Sequence, residues 1–179
     1  MADAAERQSG RVYVWGPMSA LGLIVALVTC AIDQASKLWL LLPFDIASRG
    51  AVPVGPFLDL VLVWNTGISY GLFPQEGPIG QWGLLAFKAA VIVFLWVWLA
   101  RSSNRLTALS LGLIIGGAVG NAIDRLHWPG VMDFALLHLD TANWSLRWYV
   151  FNLADAAIVA GVVGLLYESW RGGGAVKAP

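Results

Sequence analysis

Four stretches of the chain stay mostly apolar over the roughly 20 residues that a helix needs to cross a bilayer. They are Pro17–Leu42, Ile79–Ala100, Leu106–Arg125 and Tyr149–Trp170, and they predict an all-α membrane protein with four transmembrane helices in a single domain, residues 1–179. Residues 43–78 carry five prolines (Pro43, Pro53, Pro56, Pro74 and Pro78), too many for a span, while the run Phe57–Val63 is rich enough in Val, Leu and aromatics to form a short strand. Residues 127–148 make a second polar excursion. The connector Arg101–Arg105 is short and basic, and the Gly-rich tail after Trp170 is expected to be loose.

Composition agrees with a membrane protein. The chain is 58% hydrophobic and 12% charged, against about 45–50% and about 25% in soluble domains. Eleven basic and eleven acidic residues cancel, which removes the main support for a nucleic-acid binder or an acidic disordered tail. The single cysteine, Cys30, closes neither an intrachain disulfide nor a structural zinc site. The stretch Leu27-Val28-Thr29-Cys30 faintly resembles a bacterial lipobox, but Thr29 is too large for the residue before the cysteine and the apolar run continues to Leu42, so Cys30 reads as a small buried apolar residue. Ten tryptophans suit the lipid interface. Trp64, Tyr70, Trp82, Trp128, Trp144 and Trp148 fall at one end of the spans, and Trp15, Trp96, Trp98 and Trp170 at the other.

Charge gives the orientation. Arg7, Arg11, Arg101, Arg105, Arg171 and Lys177 lie on one side of the spans, against Lys37, Arg49, Arg125 and Arg147 on the other, which places both termini in the cytoplasm. The acids divide more sharply: Asp33, Asp45, Asp59, Glu76, Asp124, Asp133, Asp140 and Asp155 all gather toward the outer face, leaving Asp3, Glu6 and Glu168 inside. Carboxylates drawn partly into lipid are costly enough to need a reason. A proton-coupled channel would spread its acids through the membrane depth and repeat its sequence, and this chain does neither. A non-enzymatic assembly protein would tolerate changes at its polar positions without loss of any reaction.

Small residues indicate which helices touch. Ala108, Gly112, Gly116 and Gly120 recur every four residues on the third span, and Ala156, Ala160 and Gly164 on the fourth. Such stripes let backbones approach, so these two spans are expected to pack tightly. Their outer ends carry Asn121, Asp124 and Arg125 on one helix and Asn152 and Asp155 on the other. Individually these residues have structural readings: Asn121 and Arg125 share a helix face, Asp33 and Lys37 are spaced for an intrahelical ion pair, and Asp155 sits where the macrodipole favours an anion. Lys88, in the second span, belongs to no motif.

In chain order the polar boxes are Asp33-Gln-Ala-Ser-Lys37, Asn65-Thr-Gly-Ile-Ser-Tyr-Gly71, Gly116-Gly-Ala-Val-Gly-Asn-Ala-Ile-Asp-Arg125, Val131-Met-Asp-Phe134 and Phe151-Asn-Leu-Ala-Asp155. Set in this order on four spans, they resemble the lipoprotein signal peptidase family, signal peptidase II, over about residues 17–170. The resemblance implies an aspartic endopeptidase of the bacterial inner membrane. It would cut diacylglyceryl-modified prolipoproteins just before the lipid-bearing cysteine, on the periplasmic side, as a monomer in membrane lipid without nucleic acid, metal or other cofactor. It implies Asp133 and Asp155 as the catalytic pair, Asp124 as a structural partner, and Asp33, Lys37, Asn65, Gly67, Asn121, Arg125 and Asn152 as supporting or substrate-contacting positions. It further implies a small periplasmic β-sheet from residues 43–78 and a lid loop from residues 127–148.

The chemistry also stands on physical grounds. Two carboxyls that share one proton can take a proton from water and donate one to a carbonyl oxygen. The helix N-terminus favours Asp155 as the base, although sequence does not say which aspartate holds the proton. Other machinery fits less well. His127, His138 and Asp140 match no helical zinc-ligand spacing. Ser36 points away from its neighbour Lys37, Ser69 has no evident base, and no phosphate-cradling loop occurs.

Overall fold

The computed structural model of the protein describes residues 14–67, 78–141 and 143–173. Its elements run α1 (Ser19–Leu41), a single turn α2 (Ile46–Arg49), β1 (Val52–Pro53), β2 (Leu58–Asn65), α3 (Pro78–Arg101), α4 (Arg105–His127), β3 (Val131–Asp140), β4 (Ser145–Phe151) and α5 (Leu153–Gly173). Arg7, Arg11, Lys177, Tyr70, Glu76 and the Ile68–Gly71 part of the asparagine box lie outside the described residues. Helices α1, α4 and Leu153–Arg171 of α5 are long and apolar enough to cross a membrane, and α3 is a helix of 24 residues.

Local sequence sets the ends of these helices. Asn104 caps α4, its Oδ1 accepting from the Leu106 and Thr107 amides at 2.7 and 3.3 Å. Trp128 leaves the helix in an extended conformation, the one favoured before proline, here Pro129. Pro43, which has no N–H to carry the ladder on, stops α1 two residues past Leu41, with Leu42 before it still in the right-handed helical region. Asp45, at φ 50°, turns the chain into α2, which drives Ile46 (1% exposed) into a cluster with Leu40, Met132 and Phe134. That cluster seats the sheet on the outer end of α1.

Helix α4 is the centre of the bundle and packs against α1, α5 and α3. Its membrane window is 56% buried, against 22% for α1 and 11% for α5. Large apolar side chains such as Ile24, Leu27, Phe87, Phe94, Val163 and Leu166 stand exposed on the outside of the bundle. In lipid they lose nothing by staying there, so tight contact must come from close packing rather than from escape of apolar surface from water.

The small residues supply that contact: α4 and α5 pack tightly as expected, but the stripe on α4 has another partner. The Ala108–Gly120 stripe faces α1 rather than the last helix. A Cβ on Gly112 would lie 2.7 Å from the Gly22 carbonyl oxygen, and one on Gly116 would lie 2.5 Å from that of Ala26. The α4–α5 contact uses Gly164 of the expected stripe, where a Cβ would meet the Ser110 hydroxyl, together with two glycines outside the stripes: Gly117 against the Ala154 carbonyl and Gly161 against that of Ser110, each leaving 2.5 Å for a Cβ. Ala156 and Ala160 are exposed instead and line a cleft. A four-residue period identifies a smooth face but not its neighbour, and α4, being central, carries two such faces.

The sheet corrects two further expectations. Its order is β1-β2-β3-β4, antiparallel throughout. The segment expected to be a lid loop is therefore mostly the hairpin β3–β4, closed by hydrogen bonds between Thr141 and Trp144. Residues 149–151, read as the start of the last span, belong to β4. The strand expected at Phe57–Val63 exists one to two residues later, as β2. Bulges between Leu60 and Val63 on β2 and between Leu136 and His138 on β3 break the ladders and add local twist.

Candidate active site

The two aspartates of the last boxes are positioned by ordinary strand and helix geometry. Alternate residues of a strand face opposite ways. In β3, Met132 (0% exposed) and Phe134 (6%) point into the cluster with Leu40 and Ile46, which leaves Asp133 between them on the other face. Asn152 follows directly at the N-cap of α5. Its Oδ1 accepts from the Asp155 amide at 3.0 Å, while the Asp155 carboxylate reaches back to the Asn152 amide at 3.4 Å. This reciprocal capping box fixes Asp155 in the first turn of α5.

Two asparagines join the aspartates. Asn152 Nδ2 donates to Asp133 Oδ1 at 2.7 Å and to Asn121 Oδ1 at 3.1 Å, and Asn121 Nδ2 donates to Asp155 Oδ1 at 2.9 Å. On its other side Asp133 Oδ2 accepts from Asn65 Nδ2 at 3.1 Å. Asn65 Oδ1 in turn accepts from the Gly67 amide at 3.1 Å, and the Arg125 guanidinium donates to the Thr66 and Gly67 carbonyls. Asp133 is 3% exposed. Burial pushes its carboxyl up to about 6, reinforced by the negative charge of Asp155 and opposed by the Asn65 and Asn152 hydrogen bonds and the charge of Lys37.

Beneath the pair lies a buried ionic cluster. Lys37 Nζ meets Asp33 Oδ2 at 2.8 Å, Asp124 Oδ2 at 2.7 Å and Asn121 Oδ1 at 3.1 Å. Three donors thus find three acceptors. Asp33 Oδ1 accepts from the Ala154 amide at 3.0 Å, satisfying one of the N–H groups left open at the start of α5. Asp124 Oδ2 accepts from the Met132 amide at 3.1 Å and so pins β3 to α4. Glycine at position 120 is required here, since a Cβ would come within 2.6 Å of Asp33 Oδ2.

All ten residues anticipated as catalytic or supporting (Asp33, Lys37, Asn65, Gly67, Asn121, Asp124, Arg125, Asp133, Asn152 and Asp155) therefore form one continuous polar network. Gln34 is an addition. Its Nε2 donates to Asp124 Oδ1 at 2.8 Å and to the Gly120 carbonyl at 3.1 Å. A polar residue beside Asp33 in an apolar helix was its available signal. The histidines do not join. His127 rests its Nδ1 against the Ile123 carbonyl, and His138 sits far along β3, between Asp59 at 3.2 Å and Asp140 at 2.8 Å. Among the described residues no group of three or more His, Cys, Asp or Glu side chains is arranged to hold a metal ion.

Asp133, Asp155 and Asn65 open together into a cleft of about 440 Å³ whose other walls are largely apolar, among them Trp148, Phe151, Ile158 and Val159. Such a cleft suits a ligand that is mostly greasy and carries one polar group to the carboxylates.

Known proteins are similar to this chain in sequence and in fold. The sequence profile of the family described as Signal peptidase (SPase) II matches residues 25–171. A lipoprotein signal peptidase of Rhodopseudomonas palustris (strain TIE-1) is 59% identical over 159 residues, covering 89% of this chain and 97% of the relative. One from Nitrobacter hamburgensis is 58% identical over 158 residues, with 88% and 96% covered. A solved bacterial membrane enzyme, determined by the in meso method, superposes with a TM-score of 0.74 over 89% of this chain and 93% of its own, at 21% identity. Agreement over nearly the whole of both chains leaves one conclusion from sequence: the chain belongs to the signal peptidase II family, the lipoprotein-processing proteases.

Proposed function

We propose that the chain is an intramembrane aspartic endopeptidase. It removes the signal peptide from diacylglyceryl-modified prolipoproteins by cutting before the lipidated cysteine. The observation that carries this reading is that Asp133 and Asp155, tied together through Asn152 and Asn121, open into one apolar-walled cleft. A water held between them loses a proton to the ionised carboxylate as its oxygen attacks the scissile carbonyl. The protonated carboxyl donates to the carbonyl oxygen, giving a tetrahedral diol. Collapse of the diol gives one hydroxyl proton back to the carboxylate that had donated it, re-forms the carbonyl and breaks the C–N bond, with the proton taken from water passing to the leaving amine. Like charges so close cannot both ionise cheaply, which keeps one proton on the pair.

In this reading the surroundings take the following tasks. Helix α3 is read as the fourth span. Both termini and the Arg101–Arg105 connector lie in the cytoplasm, and the sheet and cleft on the periplasmic side of the inner membrane. The acyl chains stay among Trp148, Ile158 and Val159 while the peptide bond reaches the carboxylates at the lipid boundary. Monomeric enzyme suffices, because every residue of the network comes from one chain.

The test uses the purified full-length protein with a diacylglyceryl-cysteine peptide and its unlipidated twin. Cleavage before the cysteine is expected only for the lipidated peptide, with kcat/KM at least about a hundredfold lower for the twin, which forgoes burial of its acyl chains. Equal cleavage of both would remove the lipid from the recognition.

A further inference from the structure

The cleft that holds Asp133 and Asp155 has two ends. One follows α5 from Asp155 past Ala156 and Val159 to Ala160, down a helix whose next exposed residues, Val162 and Val163, are apolar and belong to its membrane-crossing length. The other end reaches Leu137 and Trp148, and these two side chains also wall a second hollow, of about 430 Å³. Phe57, His138, Leu139 and Leu146 complete it. The hollow lies across the sheet, with β3 in the middle, Phe57 just before β2 on one flank, and Leu146 and Trp148 of β4 on the other. A regular strand would send Leu137 and His138 to opposite faces; the bulge between Leu136 and His138 lets both line the same hollow.

Phe57, Leu146 and Trp148 each stand more than half exposed. Contiguous exposed apolar side chains of this kind mark a surface that something covers. The far rim argues against lipid tails as the cover. There His138 sits between Asp59 at 3.2 Å and Asp140 at 2.8 Å, the Ser145 hydroxyl donates to Asp140, and Arg147 is paired across the ladder from His138. Ionisable groups gathered in this way are costly to bring into hydrocarbon, so that end of the hollow belongs in water.

A lipidated precursor has one part that fits. Its signal peptide and its acyl chains are apolar and leave the cleft by the α5 end. The chain that follows the cysteine has to leave toward water, and the hairpin end of the cleft leads there. Leu137 and Leu139 stand about 13 and about 20 Å from Asp133 along β3. An extended peptide advances about 3.3–3.6 Å per residue, so the third to fifth residues after the cysteine come to lie over the hollow.

We infer that this hollow on the sheet is a subsite for the mature side of the substrate, taking an apolar side chain from the third to fifth residues after the lipidated cysteine. This rests on the peptidase reading given above and adds to it a sequence preference beyond the cleavage position.

The experiment measures kcat/KM of the full-length protein on two diacylglyceryl-cysteine peptides that differ only in carrying leucine or serine at the third to fifth positions after the cysteine. The wild type is expected to favour the leucine peptide roughly tenfold, as partial burial of that apolar surface requires. Leu146→Ser makes the wall polar far from the aspartates and is expected to bring the ratio to within about twofold of one. Should Leu146→Ser not be recovered folded, Phe57→Ser on the other flank takes its place. A wild-type ratio near one overturns the inference. A ratio that survives the substitution overturns it too, and if both rates then fall together the hollow is covered by lipid instead. A wild type that cleaves neither peptide would overturn the underlying assignment of function.

Discussion

Asp133→Asn and Asp155→Asn are each expected to lose at least about a thousandfold in kcat while the protein still folds. The proposed mechanism needs one carboxylate and one carboxylic acid at the same water, and an amide can be neither. Either substitution therefore removes a proton transfer outright. Folding should survive for separate reasons. At Asp133 the strand is held by Met132 and Phe134, and at Asp155 an amide oxygen can still accept from Asn121 Nδ2. The two losses are expected not to add, because the pair acts as a unit. Purified variants assayed on the lipidated peptide, with thermal unfolding in the same detergent, measure both parts. Full turnover by either variant would end the two-aspartate mechanism.

The largest effect on stability is expected in the cluster beneath. Lys37→Met would leave Asp33 (0% exposed) and Asp124 (1% exposed) facing each other without their shared cation. Removing one partner of a buried ion pair costs on the order of 3–5 kcal/mol. Here the loss spreads, because Asp33 also caps α5 through the Ala154 amide and Asp124 holds the Met132 amide. Both are contacts that hold the strand and the helix turn on which Asp133 and Asp155 stand. Asp124→Asn should act in the same direction but less, since it keeps one acceptor oxygen. Thermal unfolding and activity per folded molecule separate the two roles. A fully stable but inactive Asp124→Asn would place Asp124 in the chemistry rather than beneath it.

How much of this the sequence carried depends on what kind of signal each feature leaves. The polar network was legible because Asp, Asn, Lys and Arg inside apolar stretches are expensive, and each needed a partner; Asp33, Lys37, Asn121 and Asp124 found one another. The helices were legible from apolar length, with ends displaced where apolar residues continued into another element, as Tyr149–Phe151 do into β4. The hairpin β3–β4 was missed because an alternation such as Met132, Phe134 and Leu136 is short and sits beside charged residues, so it read as a polar excursion. Which face of α4 meets which helix was also hidden. Gly112 and Gly116 fit α1, while Gly117 fits α5, and adjacent glycines in a sequence do not say which neighbour each will meet.

The central claim, one proton shared by Asp133 and Asp155, is tested most directly by the alkaline side of the wild-type pH profile on the diacylglyceryl-cysteine peptide. In the free enzyme the Asp133 carboxyl loses its proton at about 6, and once it does the pair has nothing to donate. Activity therefore falls as pH rises past that point, and the limb in kcat lies higher than that in kcat/KM, because bound substrate excludes water from the cleft and disfavours the second charge. A falling limb with the slope of a single proton is the predicted result. A profile with no alkaline fall, or one that falls with the slope of two protons, would contradict the shared proton.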